Sequence, residues 1–245
     1  MDMSRQPKAL KVFFMTEIWE RFAYYAVQSL LVLFMKENLN MNDSHAYMIF
    51  GALAALLYVT PVLGGYVADR FIGYRNAVIF GGTFLAIGYF MLAVADVHVF
   101  YLSIACLVAG HGFFKPNVSA AVGALYKPGD PRRDSGFTIF YMGINIGSCT
   151  GLVLCGYIRE YFGFAPSFFV CAIGLLIGVI TFAYGLRFFP ETRDRITRKM
   201  CPKKLCIITL LSIVGILIVD QLIQRPDLTN VFMVISGIAL IAYVV

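Results

Sequence analysis

Eight apolar runs divide this 245-residue chain, near residues 10–35, 46–68, 77–95, 99–125, 136–158, 166–189, 205–224 and 228–245. A helix rises about 1.5 Å per residue, so roughly 20 apolar residues cross a hydrocarbon layer of about 30 Å. Each run therefore reads as one membrane-spanning helix, and the joints between runs carry the residues that break helices: Asn38 to Asp43, Gly73, Asp96 to His98, Pro128 to Asp134, Gly163 to Pro166, and Arg225-Pro226-Asp227. Charge content agrees, since 14% of residues are charged where soluble domains hold about a quarter. The expected fold is an all-α membrane protein. No cleavable signal peptide is visible, because the apolar run after Lys11 is too long and has no small-residue cleavage site.

Basic residues give the expected orientation. With a cytoplasmic N-terminus, 15 of the 20 Lys and Arg residues fall in cytoplasmic segments, and only Lys36, Arg159 and Arg225 fall on the other side. The net charge of +6 is thus read as topology in a plasma membrane, and no nucleic-acid partner is expected. The six cysteines form no CxxC pair and four lie within apolar runs, so neither a disulfide framework nor a metal site is expected.

Two of the runs hold charge where hydrocarbon should be. In the first, Glu17, Glu20 and Arg21 have the spacing i, i+3, i+4, and Tyr24 and Tyr25 extend the same stripe. Arg21 lies about 18 Å along a helix begun near Ala9, close to the bilayer centre, where one charge costs roughly 2.5–3.5 kcal/mol. Such residues need partners and a protein interior. Lys115, in the fourth run, is one such partner for Glu17 or Glu20. Helices one and four occupy equivalent places if the first six helices are two three-helix repeats of opposite topology, and matching functional groups in such repeats mark a midplane site. His111 stands one turn before Lys115 and reads as a packed, hydrogen-bonded histidine. Asp69, Arg70 and Arg75 flank Gly73 in the joint between helices two and three, where Asp69 can pair with either arginine and hold the turn. Tyr58 and Tyr141 lie deep enough to line a pocket. No paired-His metal spacing, phosphate loop or nucleophile elbow is present, so an enzyme is not expected.

Four motifs in order carry a family resemblance. They are E-x-x-E-R-F-x-Y-Y from Glu17 to Tyr25; Gly64-Gly65-Tyr66-Val67-Ala68-Asp69-Arg70-Phe71-Ile72-Gly73, continuing through Ala77-Val78 to Gly82 and Gly88; Phe114-Lys115-Pro116-Asn117; and Phe137 to Ser148, ending Phe140-Tyr141-Met142-Gly143-Ile144-Asn145-Ile146-Gly147-Ser148. Over residues 10 to 190 the chain resembles the proton-dependent oligopeptide transporters of the major facilitator superfamily. Cys149, directly after the fourth motif, departs from the large apolar residue usual there.

The resemblance implies proton-driven uptake of di- and tripeptides by alternating access, with no cofactor. By motif position, Glu17, Glu20, Arg21 and Lys115 would serve proton coupling. Arg21, Tyr24, Tyr25, Tyr58, Lys115 and Asn145 would form the half-pocket for the peptide carboxylate, and Asp69, Arg70 and Arg75 would gate. It also implies a domain plan: a six-helix bundle over 1–190, a basic cytoplasmic linker over 191–204, and two extra membrane helices over 205–245. Only the first of the family's two bundles is present, so the chain is expected to be a half-transporter that lacks the C-terminal six-helix half. Alternatives are a symporter of another small anion and a non-transporting remnant or assembly partner. A bacterial inner membrane is the expected location.

Overall fold

The computed structural model describes residues 6–94, 96–189 and 202–225. They form α1 (Lys8–Glu37), α2 (Asp43–Val67), α3 (Gly73–Leu92), α4 (Val97–Gly123), α5 (Arg132–Phe162), α6 (Phe164–Gly185) and α7 (Pro202–Ile223). All seven match runs read from the sequence. The eighth run, 228–245, lies outside the described residues, as does 191–201 of the expected linker; Pro202 already opens α7 at the first helical position, where its missing N–H leaves nothing unsatisfied.

Helix ends depart from the apolar runs for physical reasons. α5 starts at Arg132 and continues to Phe162, past both ends of the run at 136–158. Charged residues at a membrane interface do not stop a helix; Gly163, at φ +90°, does. At the other end Asp130 accepts from the Arg132 guanidinium at 2.8 Å and from the Arg132 backbone N–H at 2.9 Å, which holds its carboxyl down at about 2. Between α2 and α3 the chain makes a π-helical turn over Ala68–Ile72, closed by Gly73 at φ +76°. That conformation favours glycine.

By length and composition, four stretches among the described residues qualify to cross a membrane: Asp43–Leu92, which holds both α2 and α3, then Val99–Gly123, Arg132–Phe162 and Phe164–Phe188. α1, with its charged stripe, does not meet that measure on its own.

The helices pair with a symmetry. α1 packs on α5 and α6, while α4 packs on α2 and α3; α3 meets α6, and α7 lies against α4 and brushes α2. Exchanging α1–α3 with α4–α6 maps one set of pairings onto the other, as two three-helix repeats would give. Close backbone approach supports both halves. A Cβ on Gly147 of α5 would stand 2.3 Å from the Ile18 carbonyl oxygen of α1, and a Cβ on Gly64 of α2 would stand 2.0 Å from the Gly112 oxygen of α4. Small residues allow such approach where hydrocarbon gives helices little hydrophobic drive to associate. Phenylalanines fill both ends of the core. Phe34 packs edge-on against Phe168 at 5.1 Å near the end of α1, and Phe13 packs edge-on against Phe189 at 5.0 Å near its start.

Gly147→Ala should therefore lower the stability of the detergent-purified chain by about 1–3 kcal/mol through overpacking. Gly51→Ala, in mid-helix with nothing within 4 Å, should raise it by about 0.5–1 kcal/mol. Thermal melting of the two variants against the parent checks the opposite signs.

Candidate functional site

The charged stripe of α1 faces inward. Glu17 and Glu20 are fully buried and Arg21 is 4% exposed. The i, i+4 spacing would pair Arg21 with Glu17, but its guanidinium folds back on Glu20. Arg21 Nε and Nη2 each donate to Glu20, at 2.5 Å to Oε2 and Oε1, a bidentate pair of the strong kind. Glu17 Oε1 lies farther from Arg21 Nε, at 3.5 Å, and takes its hydrogen bond from Lys115 Nζ at 2.7 Å. The four charges sum to zero, which is what burial in a low dielectric demands. The guanidinium also lies over the Tyr24 ring at 4.4 Å and farther from the Tyr25 ring at 5.9 Å.

One carboxylate oxygen is left over. Glu17 Oε2 is buried and has no hydrogen-bond partner among the described residues. Lys115 differs from Arg21 in access: its side chain is 29% exposed against 5% for Arg21. So Lys115 stands at the edge of the cluster and Arg21 within it.

Of the other expected pocket residues, Tyr24 and Tyr25 are half-buried beside Arg21. Tyr58 of α2 lies near Tyr24 and is 85% exposed. Tyr141 and Asn145, one turn apart on α5, are exposed. The buried cluster is thus built mainly on α1 and α4, while α2 and α5 offer open aromatic and amide groups. Asn117 does not belong to the site. Its amide donates to the Phe113 carbonyl at 2.7 Å and to the Gly64 carbonyl of α2 at 3.4 Å, beside Pro116, which has no N–H to give the helix.

Asp69, Arg70 and Arg75 are exposed at the π-helical turn. The expected clasp between Asp69 and Arg70 or Arg75 does not form: Asp69 makes no ion pair among the described residues. Asp69 is exposed at the turn, which Gly73 closes with its positive φ and which the Asn76 amide braces by donating to the Ile72 carbonyl at 2.7 Å.

The sequence reading undervalued two residues. His111 is packed as expected, 6% exposed and stacked on Tyr24 with centroids 5.2 Å apart and planes 20° apart. The expected hydrogen bond, however, is missing at Nδ1, which lies 3.7 Å from Glu20 Oε1 and has no partner among the described residues. Tyr89 of α3 is 2% exposed and lies near Glu20 and Arg21. The one-turn spacing of His111 and Lys115 carried a signal for the first. Nothing local marked Tyr89, which reaches the cluster through the packing of α3 on α4 and α6.

A membrane bundle of two pseudo-symmetric three-helix sets, with a network of two acids and two bases at mid-span, is the architecture of the secondary-transporter class. Comparison with known proteins narrows the class. The model of the POT family matches residues 75–225. The chain is 34% identical over 247 aligned positions to dipeptide and tripeptide permease B of Photorhabdus luminescens, covering 100% of this chain and 46% of that protein. The permease B of Shigella dysenteriae is 33% identical, with 97% and 49% covered. Among solved structures, a bacterial homologue of the human drug peptide transporters PepT1 and PepT2 superposes with a TM-score of 0.90 at 30% identity, covering 96% of this chain and 54% of that one. A second, from work on substrate recognition in proton dependent oligopeptide transporters, gives 0.86 at 30% identity, with 96% and 53% covered.

The chain belongs to the POT family, a family of transporters and not of enzymes. It spans about half the length of the relatives it matches, consistent with an N-terminal half.

The pairing of Glu17 with Lys115 should show as thermodynamic coupling. Lys115→Gln alone leaves Glu17 buried with only the more distant, shared Arg21 as counter-charge, whereas adding Glu17→Gln removes the under-compensated carboxylate. A double-mutant cycle on unfolding in mixed micelles should give a coupling of about 0.5–3 kcal/mol near neutral pH. The coupling should fade as pH drops and Glu17 takes up a proton.

Proposed function

We propose that this chain forms the N-terminal half of a proton-coupled symporter that imports di- and tripeptides by alternating access. The observation that carries the reading is the ion pair of Glu17 and Lys115, with one Glu17 oxygen unpartnered, at mid-span between helices that occupy equivalent places in two repeats. A proton on Glu17 cancels its charge and releases Lys115. The released ammonium, already partly open to the pocket side, then receives the peptide carboxylate. Loss of the proton restores the pair and expels the carboxylate. Proton and peptide thus act on one network, and the proton gradient is the driving force, with no cofactor.

Arg21 holds a different place in this scheme. Bound to Glu20 on both nitrogens and covered by Tyr24, it supplies a fixed positive field behind the pocket, and it reaches substrate only after Glu20 lets go. Tyr25, Tyr58 and Asn145 line the open side for the peptide backbone. The amino-terminal end of the peptide is met by a second six-helix half, which the relatives' length accommodates. The protein sits in a bacterial inner membrane with its N-terminus in the cytoplasm. Asp69, Arg70 and Arg75 act at the cytoplasmic lip, and the partner that clasps Asp69 comes from the second half.

Uptake of labelled dipeptide into vesicles holding this chain together with a matching C-terminal half tests the reading. Accumulation should require an inward proton gradient, and accumulation that ignores the gradient would sink it. In the same vesicles Lys115→Gln should abolish uphill uptake while downhill peptide exchange persists. Equal loss of both modes would instead mark a purely structural pair.

Asp69→Asn should slow turnover several-fold, on the order of 1 kcal/mol in the barrier, and leave equilibrium peptide binding unchanged. Rate and binding measured side by side distinguish a gate from a solvated loop.

A further inference from the structure

We infer that the groove between α3 and α7 binds an anionic phospholipid, with one acyl chain along the groove and the phosphate at Arg75.

α7 meets the bundle unevenly. Toward its C-terminal end it seats on α4, where Ile216 lies over Ala105 and Cys106 and is 4% exposed. Nearer Pro202 it leaves a groove of about 360 Å³ against α3. Ile72, Ile79, Phe80, Phe84 and Ile87 of α3 border it on one side and Ile208 of α7 on the other. The α3 residues recur at helical spacing and form one stripe. From Ile72 to Ile87 that stripe runs about 22 Å, enough for the roughly 15 Å depth of one leaflet.

Two features choose the occupant. The first is the chemistry of the groove wall. Its polar side chains are already engaged within α3: Asn76 donates to the Ile72 carbonyl at 2.7 Å, and Thr83 to the Ile79 carbonyl at 2.9 Å. What remains on offer is apolar surface, which suits an acyl chain and not a polar ligand.

The second feature is charge at the Ile72 end. Arg75 stands three residues after Ile72 and four before Ile79, at the edge of the same stripe. It is exposed and makes no ion pair among the described residues. Arg70 is exposed in the turn just before α3, and the first turn of α7 carries Lys203 and Lys204. Asp69 offsets one of these four charges. Basic residues between membrane helices at the hydrocarbon boundary hold anionic headgroups, and a guanidinium there keeps its stem in apolar surroundings and its head at the interface. The lipid phosphate receives charge-assisted hydrogen bonds from Arg75. The chain below it fills the gap between α3 and α7, a helix that rests chiefly on α4.

Native mass spectrometry of the full chain tests the site. The chain is titrated in detergent with palmitoyl-oleoyl phosphatidylglycerol, or with the phosphatidylcholine of the same chains. The parent should retain one phosphatidylglycerol several-fold more tightly than phosphatidylcholine. Arg75→Gln should weaken phosphatidylglycerol about five-fold and leave phosphatidylcholine unchanged, while Arg75→Lys keeps most of the preference. Thr83→Trp puts a bulky ring into the groove and should weaken both lipids. Both positions are exposed, so neither change disturbs the core. Equal affinity for the two lipids in the parent marks an unselective apolar surface and overturns the inference. So does phosphatidylglycerol binding that either Arg75→Gln or Thr83→Trp leaves unchanged. A parent that retains no lipid, as monomer or dimer, has its groove filled by protein, either the run at 228–245 or a second copy, and this too overturns it.

Discussion

Charge neutrality inside hydrocarbon is the constraint on which the bundle turns. Two carboxylates, a guanidinium and an ammonium lie at mid-span, and none can stay ionised there without the others. Three of them ride on α1, and Lys115 comes from α4. Yet α1 and α4 touch little along their lengths; their closest neighbours are α5 and α6 for α1, and α2 and α3 for α4. The gap that the lysine stem bridges is therefore fixed indirectly. Gly147 lets α5 press on the backbone of α1, Gly64 lets α2 press on that of α4, and the two pairs close on each other across α3 and α6. The glycine contacts set the distance, and the Glu17–Lys115 hydrogen bond at 2.7 Å is the result.

Much of this was legible in the sequence because membrane physics leaves few choices. Apolar runs of span length become helices, and the seven that fall within the described residues did. The charges too deep to reach water had to meet one another, and they do. What local spacing could not supply was the pairing. An i, i+4 rule joins Glu17 to Arg21, but a long guanidinium stem can fold back to the adjacent Glu20 once Lys115 arrives to occupy Glu17. That outcome depends on where α4 falls, which is a tertiary fact. The same holds for Tyr89, placed by α3 packing, and for Asp69, whose expected clasp dissolves because a π-helical turn replaces the tight loop implied by Gly73. His111 was half legible: its burial followed from its apolar surroundings, but the missing hydrogen bond accompanies the stack on Tyr24, which leaves Nδ1 3.7 Å from Glu20 Oε1.

The two cations of the cluster are not interchangeable, and their difference gives the proposed cycle its direction. A guanidinium engages a carboxylate through a planar fork and stays charged, so Arg21 with Glu20 forms a rigid unit, further fixed by the Tyr24 face. An ammonium is a point charge on a flexible stem, and Lys115 holds Glu17 through a single oxygen at the partly open edge of the site. Of the two pairs, the one with Lys115 has fewer hydrogen bonds to break and more water to receive what is released. A proton reaching the cluster therefore frees the lysine at lower cost than the arginine. The carboxylate with an unpartnered oxygen, Glu17, belongs to that same weaker pair. In the proposed cycle the loosest bond of the cluster lies at its partly open edge, where a peptide carboxylate would enter, and the tight pair behind it would hold the field steady while the bond is exchanged.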